Sequence, residues 1–237
     1  VFVRDSRSVT LTADGQVVLE HARRMLALNR ELLARFITPE IAGTVRLGAP
    51  DDVAERFLPE MLRRFYDTHP SVSVDVEIVG SGAARQMLSA GQLDLAIINC
   101  GIGAKAAPGI ETLRKQQLVW GMLRGGVAPE CTPLPVSVWE EGCAWRDVAL
   151  AGLEAQGRPW RLALRSGHIA GQRAAILSDL AIAPIPDTTL DANIVEVPGQ
   201  FGLPILPGYV IGLMQAEDVV APAKAAADHL RAAFANV

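Results

Sequence analysis

Hydrophobic residues along the chain follow two periods, and each period predicts one type of element. Apolar side chains occupy every second position from Val72 to Val79, which is typical of a strand. Between residues 53 and 68 they recur in steps of three and four instead, which predicts a helix with one buried face. That face carries Val53, Phe57, Met61 and Phe65.

Short connections join strand-like and helix-like segments in regular alternation between residues 44 and 98. Glycine and proline punctuate the pattern, as His69-Pro70 does after the first of these helices. Strands that alternate with helices indicate a parallel sheet covered by helices. The predicted elements are a strand Thr44–Leu47, a helix 53–68, a strand Val72–Val79, a helix that begins near Ser81, and a strand Leu93–Ile98.

Two extended apolar segments, Gln117–Leu123 and Tyr209–Met214, flank a second region of mixed character. Within that region the pattern predicts strands Trp160–Leu164 and Leu180–Ile185, with a helix between them that ends near Asp179. A last helix covers Ala221–Ala235 and has Pro222 in its first turn. We therefore expect an α/β fold of two Rossmann-like, periplasmic-binding-protein-like subdomains joined by two crossover strands.

The N-terminal segment differs from this body. Val1–Val3 and Val9–Leu11 resemble the two strands of a hairpin, and Thr12 is placed to cap a helix that continues to residue 38 without proline. Its apolar stripe has the spacing of a coiled-coil seam, so we expect it to pair two chains. The residues expected at that dimer contact are Ala22, Leu26, Asn29 and Leu33. A polar Asn29 on the seam either sets the register or faces solvent at its edge.

Composition narrows the class of protein. The 237 residues are half apolar and one-fifth charged, with a net charge of −4, which argues against a surface that is basic overall. Residues 1–36 nevertheless carry a net charge of +2, a mild indication of a polyanionic partner. No segment resembles a membrane span or a signal peptide, so we expect a cytoplasmic protein with no membrane partner. Cys100, Cys131 and Cys143 fit reduced thiols better than a redox pair of Cys131 with Cys143.

A binding cleft is expected where the predicted parallel strands end. Ligands of open α/β sheets bind outside the carboxyl ends of strands, where helix N-termini point inward. The predicted loops 49–51, 80–82 and 166–168 meet that description, and the turn after the strand Leu93–Ile98 joins them. The candidate residues are Pro50, Asp51, Ser81, Gly82, Asn99, Ser166 and His168. Asp51, Ser81 and Ser166 are equally explained as helix caps, and His168 as an ordinary, partly exposed side chain.

The stretch FVRDSRSVTLTADGQVVLEHARRML resembles the wing and linker helix of LysR-type transcriptional regulators. The family pattern is matched at Phe2, Arg4, Arg7, Val9, Leu11, Thr12 and Gly15. GTVRLGAPDD and MLSAGQLDLAI resemble the start of the effector-binding domain of that family. GCAWRDVALAGLEAQGRPWRLAL and GLPILP resemble its LrhA/HexA-like branch. The resemblance covers essentially the whole chain, and the order and spacing of the motifs make it specific.

This resemblance implies four segments and a set of partners. Residues 1–12 would be a remnant of the wing, and 13–38 the linker and dimerisation helix. Residues 44–118 with 213–237 would form effector-binding subdomain I, and 119–212 subdomain II. The start of the chain would lie inside the wing, so most of the winged helix-turn-helix is expected to be missing. Partners would be an unknown small-molecule effector, a second or further copies in a homodimer or homotetramer, and DNA in the intact protein only.

Two details of the resemblance bear on the partners. Arg4 and Arg7 would approach DNA phosphates, unless they belong to a solvated turn. Relatives place a hydroxyl side chain where this chain has Asp51-Asp52, and that hydroxyl binds an effector carboxylate. Because two acids repel an anion, we expect a neutral, cationic or apolar effector rather than a dicarboxylate or aromatic acid.

Catalysis and metal binding are not expected. The sequence lacks the nucleophile elbow, zinc-protease and phosphate-loop motifs, and its histidines and cysteines have no metal-ligand spacing. Asp94 is expected to pair or cap at a strand start rather than to act as a functional acid. No cofactor is predicted. The rival interpretation is a solute-binding protein of the periplasmic type with the same two-lobed fold, and an enzyme comes third.

Overall fold

The computed structural model describes residues 1–4, 9–37, 41–101 and 109–235. At its start, β1 (Phe2–Arg4) pairs antiparallel with β2 (Val9–Leu11), as the hairpin prediction requires. Helix α1 (Ala13–Ile37) follows directly. The backbone N–H of Gly15 donates to Thr12 Oγ1 at 3.0 Å, which confirms Thr12 as its cap.

Of the five other described α-helices, four lie close to their predicted positions, whereas the helix at Ala144–Ala155 was not predicted. The last helix has the predicted bounds, because its buried residues recur at helical spacing and Pro222 is tolerated in its first turn. The helix predicted to end near Asp179 ends two residues earlier, and Asp179 adopts the left-handed region that follows a helix end. The five helices after α1 are α2 (Asp51–Thr68), α3 (Ser81–Ser89), α4 (Ala144–Ala155), α5 (Ile169–Leu177) and α6 (Ala221–Ala235).

Most of the strands form one seven-stranded sheet. Its strand order is β10-β6-β11-β5-β3-β4, and β9 pairs with β6 as well. Strands β7 and β8 form a separate parallel pair. The bounds are β3 (Gly43–Ala49), β4 (Val72–Ile78), β5 (Leu95–Gly101), β6 (Glu111–Leu123), β7 (Leu134–Val138), β8 (Trp160–Arg165), β9 (Ala183–Pro186), β10 (Ile194–Glu196) and β11 (Gly208–Gln215).

Strand β6 links two lobes. Residues 111–117 of β6 pair with β11, whereas residues 118–123 pair with β9 and β10. The first lobe contains β3, β4 and β5 with α2, α3 and α6, and the second contains β7 to β10 with α4 and α5. The proposed domain boundaries after residues 118 and 212 therefore lie within β6 and β11 themselves.

Strand β5 begins later than the alternation predicts. Asp94 precedes it and accepts hydrogen bonds from Arg46, at 2.8 Å from the backbone N–H and 2.7 Å from Nη2. This confirms the expected pairing of Asp94 at a strand start. The guanidinium holds the pKa of Asp94 below its usual value. Leu93, which was predicted to begin the strand, instead packs in a small cluster beneath α3 with Ala84 and Leu88.

A single large core joins the two lobes. Leu47 and Ile97 of the first lobe and Leu134 and Ile182 of the second are fully buried in it. Among the described helices, none is long and apolar enough to cross a membrane.

Candidate effector-binding site

A cavity of about 430 Å³ opens between the two lobes, at the carboxyl ends of five strands. Residues that follow β3 and β4, together with the end of β5, form one wall, and residues that follow β7 and β8 form the other. Asn99 lies within β5, which extends to Gly101, and not in a turn after it as predicted. Because parallel strands leave their carboxyl ends at one edge of a sheet, the N-termini of α2, α3, α4 and α5 all reach this cavity. The expected location of the cleft is therefore where the structure has a cavity.

Six of the seven sequence-predicted residues line this cavity. They are Pro50, Asp51, Ser81, Gly82, Asn99 and His168. Ser166 is not part of the lining, and its Oγ accepts a hydrogen bond from the backbone N–H of His168 at 3.1 Å within a local turn. Helix α3 begins at Ser81, as predicted, so Ser81 and Gly82 lie in its first turn rather than in a loop, and α2 begins at Asp51, two residues before its predicted start.

Asp51 connects the two lobes. Its Oδ2 accepts a hydrogen bond of 2.6 Å from the backbone N–H of Ile169, the first residue of α5. The same oxygen lies 3.5 Å from His168 Nδ1. Asp51 therefore caps a helix of the opposite lobe, whereas its own helix has Pro50 as N-cap and no side-chain cap. Its carboxylate occupies the place that an anionic ligand would take at the N-terminus of α5.

We expect Asp51→Ala to lower the free energy of unfolding by about 1 kcal/mol, the usual cost of removing a helix cap. Asp51→Asn is the matched control, because it keeps an acceptor oxygen and should cost less. Urea unfolding followed by tryptophan fluorescence measures both. Equal midpoints for the wild type and the alanine variant would show that this cap adds no stability.

Asp52 is the buried acid of the site. Asn99 Nδ2 donates to both of its carboxylate oxygens, at 3.2 and 3.3 Å. Burial, together with the neighbouring charge of Asp51, raises the pKa of Asp52 from its usual value of 3.8 to about 7. Asn99 is itself held by Ser81, whose Oγ accepts from the Asn99 backbone N–H at 2.8 Å.

Several buried polar atoms of the lining have no hydrogen-bond partner among the described residues. These atoms are Arg85 Nε, Asn99 Oδ1 and Trp145 Nε1. The Arg85 guanidinium makes a weak contact through Nη2, which lies 3.4 Å from Cys100 Sγ. Buried polar groups are normally satisfied, so a molecule in the cavity, either water or a ligand, is needed to complete the hydrogen bonds of these atoms.

Of the second wall of the cavity, sequence reasoning found His168 and missed the segment after β7. That segment carries Trp139, Glu140, Glu141 and Cys143, with Trp145 in the first turn of α4. The Trp139 and Trp145 rings meet edge to face, with centroids 4.9 Å apart. The rule that ligands bind at the carboxyl ends of strands would have located this segment if Leu134–Val138 had been recognised as a strand.

The three cysteines of the chain differ in where they lie. All three thiols are free, with Cys100 and Cys143 in the cavity lining and Cys131 exposed elsewhere. Burial raises the pKa of the Cys143 thiol. Across residues 1–4, 9–37, 41–101 and 109–235, no cluster of three His, Cys, Asp or Glu side chains is arranged to hold a metal.

The residues expected to bind DNA or a second chain lie at the N-terminal end. Arg7, together with the side chains of Arg4 and Leu33, is outside the part that the structure describes. Ala22 is half-buried, whereas Leu26 is 54% exposed and Asn29 is exposed. Other apolar side chains of α1 are also more than half exposed, namely Val17, Val18, Met25 and Leu28.

Residues 39–235 match the family described as the LysR substrate binding domain. The chain belongs to the LysR-type regulators. It is 32% identical over 236 residues to the HTH-type transcriptional regulator DgdR of Burkholderia cepacia, and it spans 77% of that protein. This LysR-type chain therefore contains the effector-binding part of a transcriptional regulator.

Solved structures show the same fold. Full-length BenM superposes with a TM-score of 0.65 at 12% identity, over 99% of this LysR-type chain and 82% of BenM. The effector-binding domain of QuiR, solved in complex with shikimate, gives a TM-score of 0.64 at 14% identity, over 81% of this chain and 97% of that one. The relatives are regulators, which favours this class over a solute-binding protein or an enzyme.

Proposed function

We propose that this chain senses a small molecule in the cavity and transmits its presence to a winged helix-turn-helix head in the cytoplasm. The observation that supports the proposal is the inter-lobe cavity with unpaired buried polar atoms on its walls. The segments GCAWRDVALAGLEAQGRPWRLAL and GLPILP favour the LrhA/HexA-like branch. In the intact protein, Arg4 and Arg7 would contact DNA phosphates and thereby position the head.

Signalling requires that the effector bind two arrangements of the chain with different affinity. The hydrogen bond from Ile169 to Asp51 joins the lobes across the cavity, so it is the contact that a bound molecule would strengthen or replace. A shift of that contact changes the relative position of the lobes and, through α1, the spacing of two DNA-binding heads. The domain division at residues 13–38, 44–118 with 213–237, and 119–212 belongs to the same proposal.

A cavity-filling substitution tests the location of the sensor. A Cβ atom at Gly82 would meet nothing within 4 Å, so Gly82→Trp should fold and fill the cavity with its indole ring. Ser89→Trp is the matched control, because Ser89 is exposed at the end of the same helix and outside the lining. In a thermal-shift screen against a metabolite library, we expect ligands that stabilise the wild type and the control but not Gly82→Trp.

Two results would contradict this proposal. A library without any stabilising ligand would argue against a sensor, and ligands that act equally on Gly82→Trp would place the site elsewhere. Neither result depends on the chemical class of the effector.

Self-association through α1 is the second part of the proposal. The exposed apolar side chains of this helix follow coiled-coil spacing, and a second copy of the chain is the partner that would cover them. The same helix would carry Ala22, Leu26, Asn29 and Leu33 to the contact in a homodimer or homotetramer.

A further inference from the structure

We infer that the effector carries a primary ammonium group, which is received by the Asp52 carboxylate together with the amide oxygen of Asn99. The inference rests on the proposed sensing function of the cavity and names the chemical class of its ligand. Its evidence lies in the charge of the lining, in the unpaired acceptor of Asn99 and in the aromatic wall.

The charges of the lining favour a cation. Four carboxylates face the cavity, those of Asp51, Asp52, Glu140 and Glu141, against the single guanidinium of Arg85. Four helix N-termini also point inward, and each is equivalent to roughly half a positive charge. Together with Arg85 these amount to about three positive charges, which is fewer than the four carboxylates supply when ionised. One of the helix N-termini is already occupied by Asp51, so an anion would find little vacant positive potential.

Asn99 presents its amide oxygen for a donor that the described residues do not supply. Its Nδ2 donates to the carboxylate of Asp52, and that contact sets the orientation of the amide, because a flipped amide would place its oxygen against a carboxylate. Oδ1 is buried without a hydrogen-bond partner. An ammonium group has three N–H donors, so it can serve this oxygen and the nearby carboxylate at once.

The opposite wall provides an apolar surface for the rest of the ligand. Trp145 is only 4% exposed, lines the cavity, and has an indole N–H without a partner. Its ring and that of Trp139 form an apolar surface on which a hydrocarbon body can pack. Arg85 Nε is a second unpaired donor. The ligand therefore combines an ammonium group, an apolar body and at least one hydrogen-bond acceptor.

Asp52 lacks a cationic partner within the described part of the chain. Burial dominates the rise of its pKa to about 7, and no cation offsets it. An arriving ammonium group would favour the ionised carboxylate, so binding below pH 7 should release a proton. The groups that interact electrostatically with Asp52 are Asp51, Cys143 and Tyr209. The remaining charged or titratable lining residues are Arg85, Cys100, Glu140, Glu141 and His168.

Three probes with the same chain of carbon atoms separate the possible charges of the ligand. Pentylamine carries the ammonium alone, pentanoate the carboxylate alone, and norvaline both. By isothermal titration calorimetry at pH 8, we expect pentylamine and norvaline to bind and pentanoate not to bind. Asp52→Asn should weaken both amines at least tenfold, since it removes the charge from the group that accepts the ammonium hydrogen bond. Tighter binding of norvaline than of pentylamine would add a carboxylate contact, for which Arg85 is available.

Glu55→Gln is the matched control, because it removes one negative charge from an exposed position of the same helix. It should leave both amines unchanged. A pH series gives a second measurement: affinity for pentylamine should fall about tenfold from pH 8 to pH 6 in the wild type, with proton release at pH 6, and stay nearly constant in Asp52→Asn.

The amine assignment is overturned if pentanoate binds more tightly than pentylamine, if neither amine binds, or if Asp52→Asn leaves amine binding intact. If one of these results is obtained, but library ligands bind the wild type and not Gly82→Trp, the sensing function stands and only the ammonium assignment is wrong. If no ligand binds in the cavity, both the sensing function and the ammonium assignment are contradicted.

Discussion

Replacing Asp52 by asparagine should stabilise the folded chain at pH 8 by up to about 4 kcal/mol, since one pKa unit corresponds to about 1.4 kcal/mol. The pKa of Asp52 rises from 3.8 to about 7 in the fold. The folded state therefore holds this proton more tightly than the unfolded chain does. As pH rises through 3.8, the unfolded chain ionises first and stability falls, until the folded carboxyl ionises near pH 7. Above that pH the full penalty is present, and an uncharged side chain avoids it.

The measurement is the free energy of urea unfolding of both proteins between pH 4 and pH 8. The difference between Asp52→Asn and the wild type should be near zero at pH 4 and grow until about pH 7. Glu55→Gln serves again as the control, because it makes the same change of net charge at an exposed site of α2. A difference that does not depend on pH would show that Asp52 is not penalised by burial.

Replacing Leu26 by glutamate should dissociate the proposed dimer. Leu26 is 54% exposed in the single chain and lies on the apolar stripe of α1. Burying a whole leucine contributes about 1.5–3 kcal/mol, so covering the exposed half of Leu26 contributes about 0.8–1.5 kcal/mol in each of the two chains of a two-fold contact. A carboxylate in its place adds a desolvation cost in each chain. The combined loss of about 3 kcal/mol or more raises the dissociation constant at least about a hundredfold.

Analytical ultracentrifugation over a concentration series gives the dissociation constant. Ala13→Glu is the matched control, because it adds the same charge to an exposed position half a turn away from the stripe. We expect a dimer or tetramer for the wild type and the control, and a monomer for Leu26→Glu. A monomeric wild type would contradict the proposed role of α1, as would a Leu26→Glu variant that still assembles.

Local pattern was sufficient for most elements and for the place of the cavity. Apolar spacing located α2 and α6, and the capping chemistry of Thr12 located the start of α1. The rule that ligands gather at strand carboxyl ends selected Pro50, Ser81, Asn99 and His168, which do line one cavity. Each of these inferences depends on residues within a few positions of one another, so the sequence contains the necessary information.

The roles of the two adjacent acids could not be derived in that way. Asp51 reaches a backbone N–H 118 positions along the chain, and Asp52 meets an amide 47 positions away. Sequence reasoning treated them as one acidic pair at the mouth of the cleft. In the structure the first caps a helix of the other lobe, and the second is buried with a raised pKa.

The sequence by itself therefore determined the alternation of strands and helices, the family and the edge of the sheet where a ligand would bind. Only the tertiary structure decided that Asp51 closes α5, that Asp52 is buried beside Asn99, and that Trp139 and Trp145 complete the wall. The physical reason is the distance along the chain between the residues that interact. Helix and strand patterns arise from interactions between near neighbours, whereas burial and electrostatic environment are set by residues that meet only when the two lobes come together.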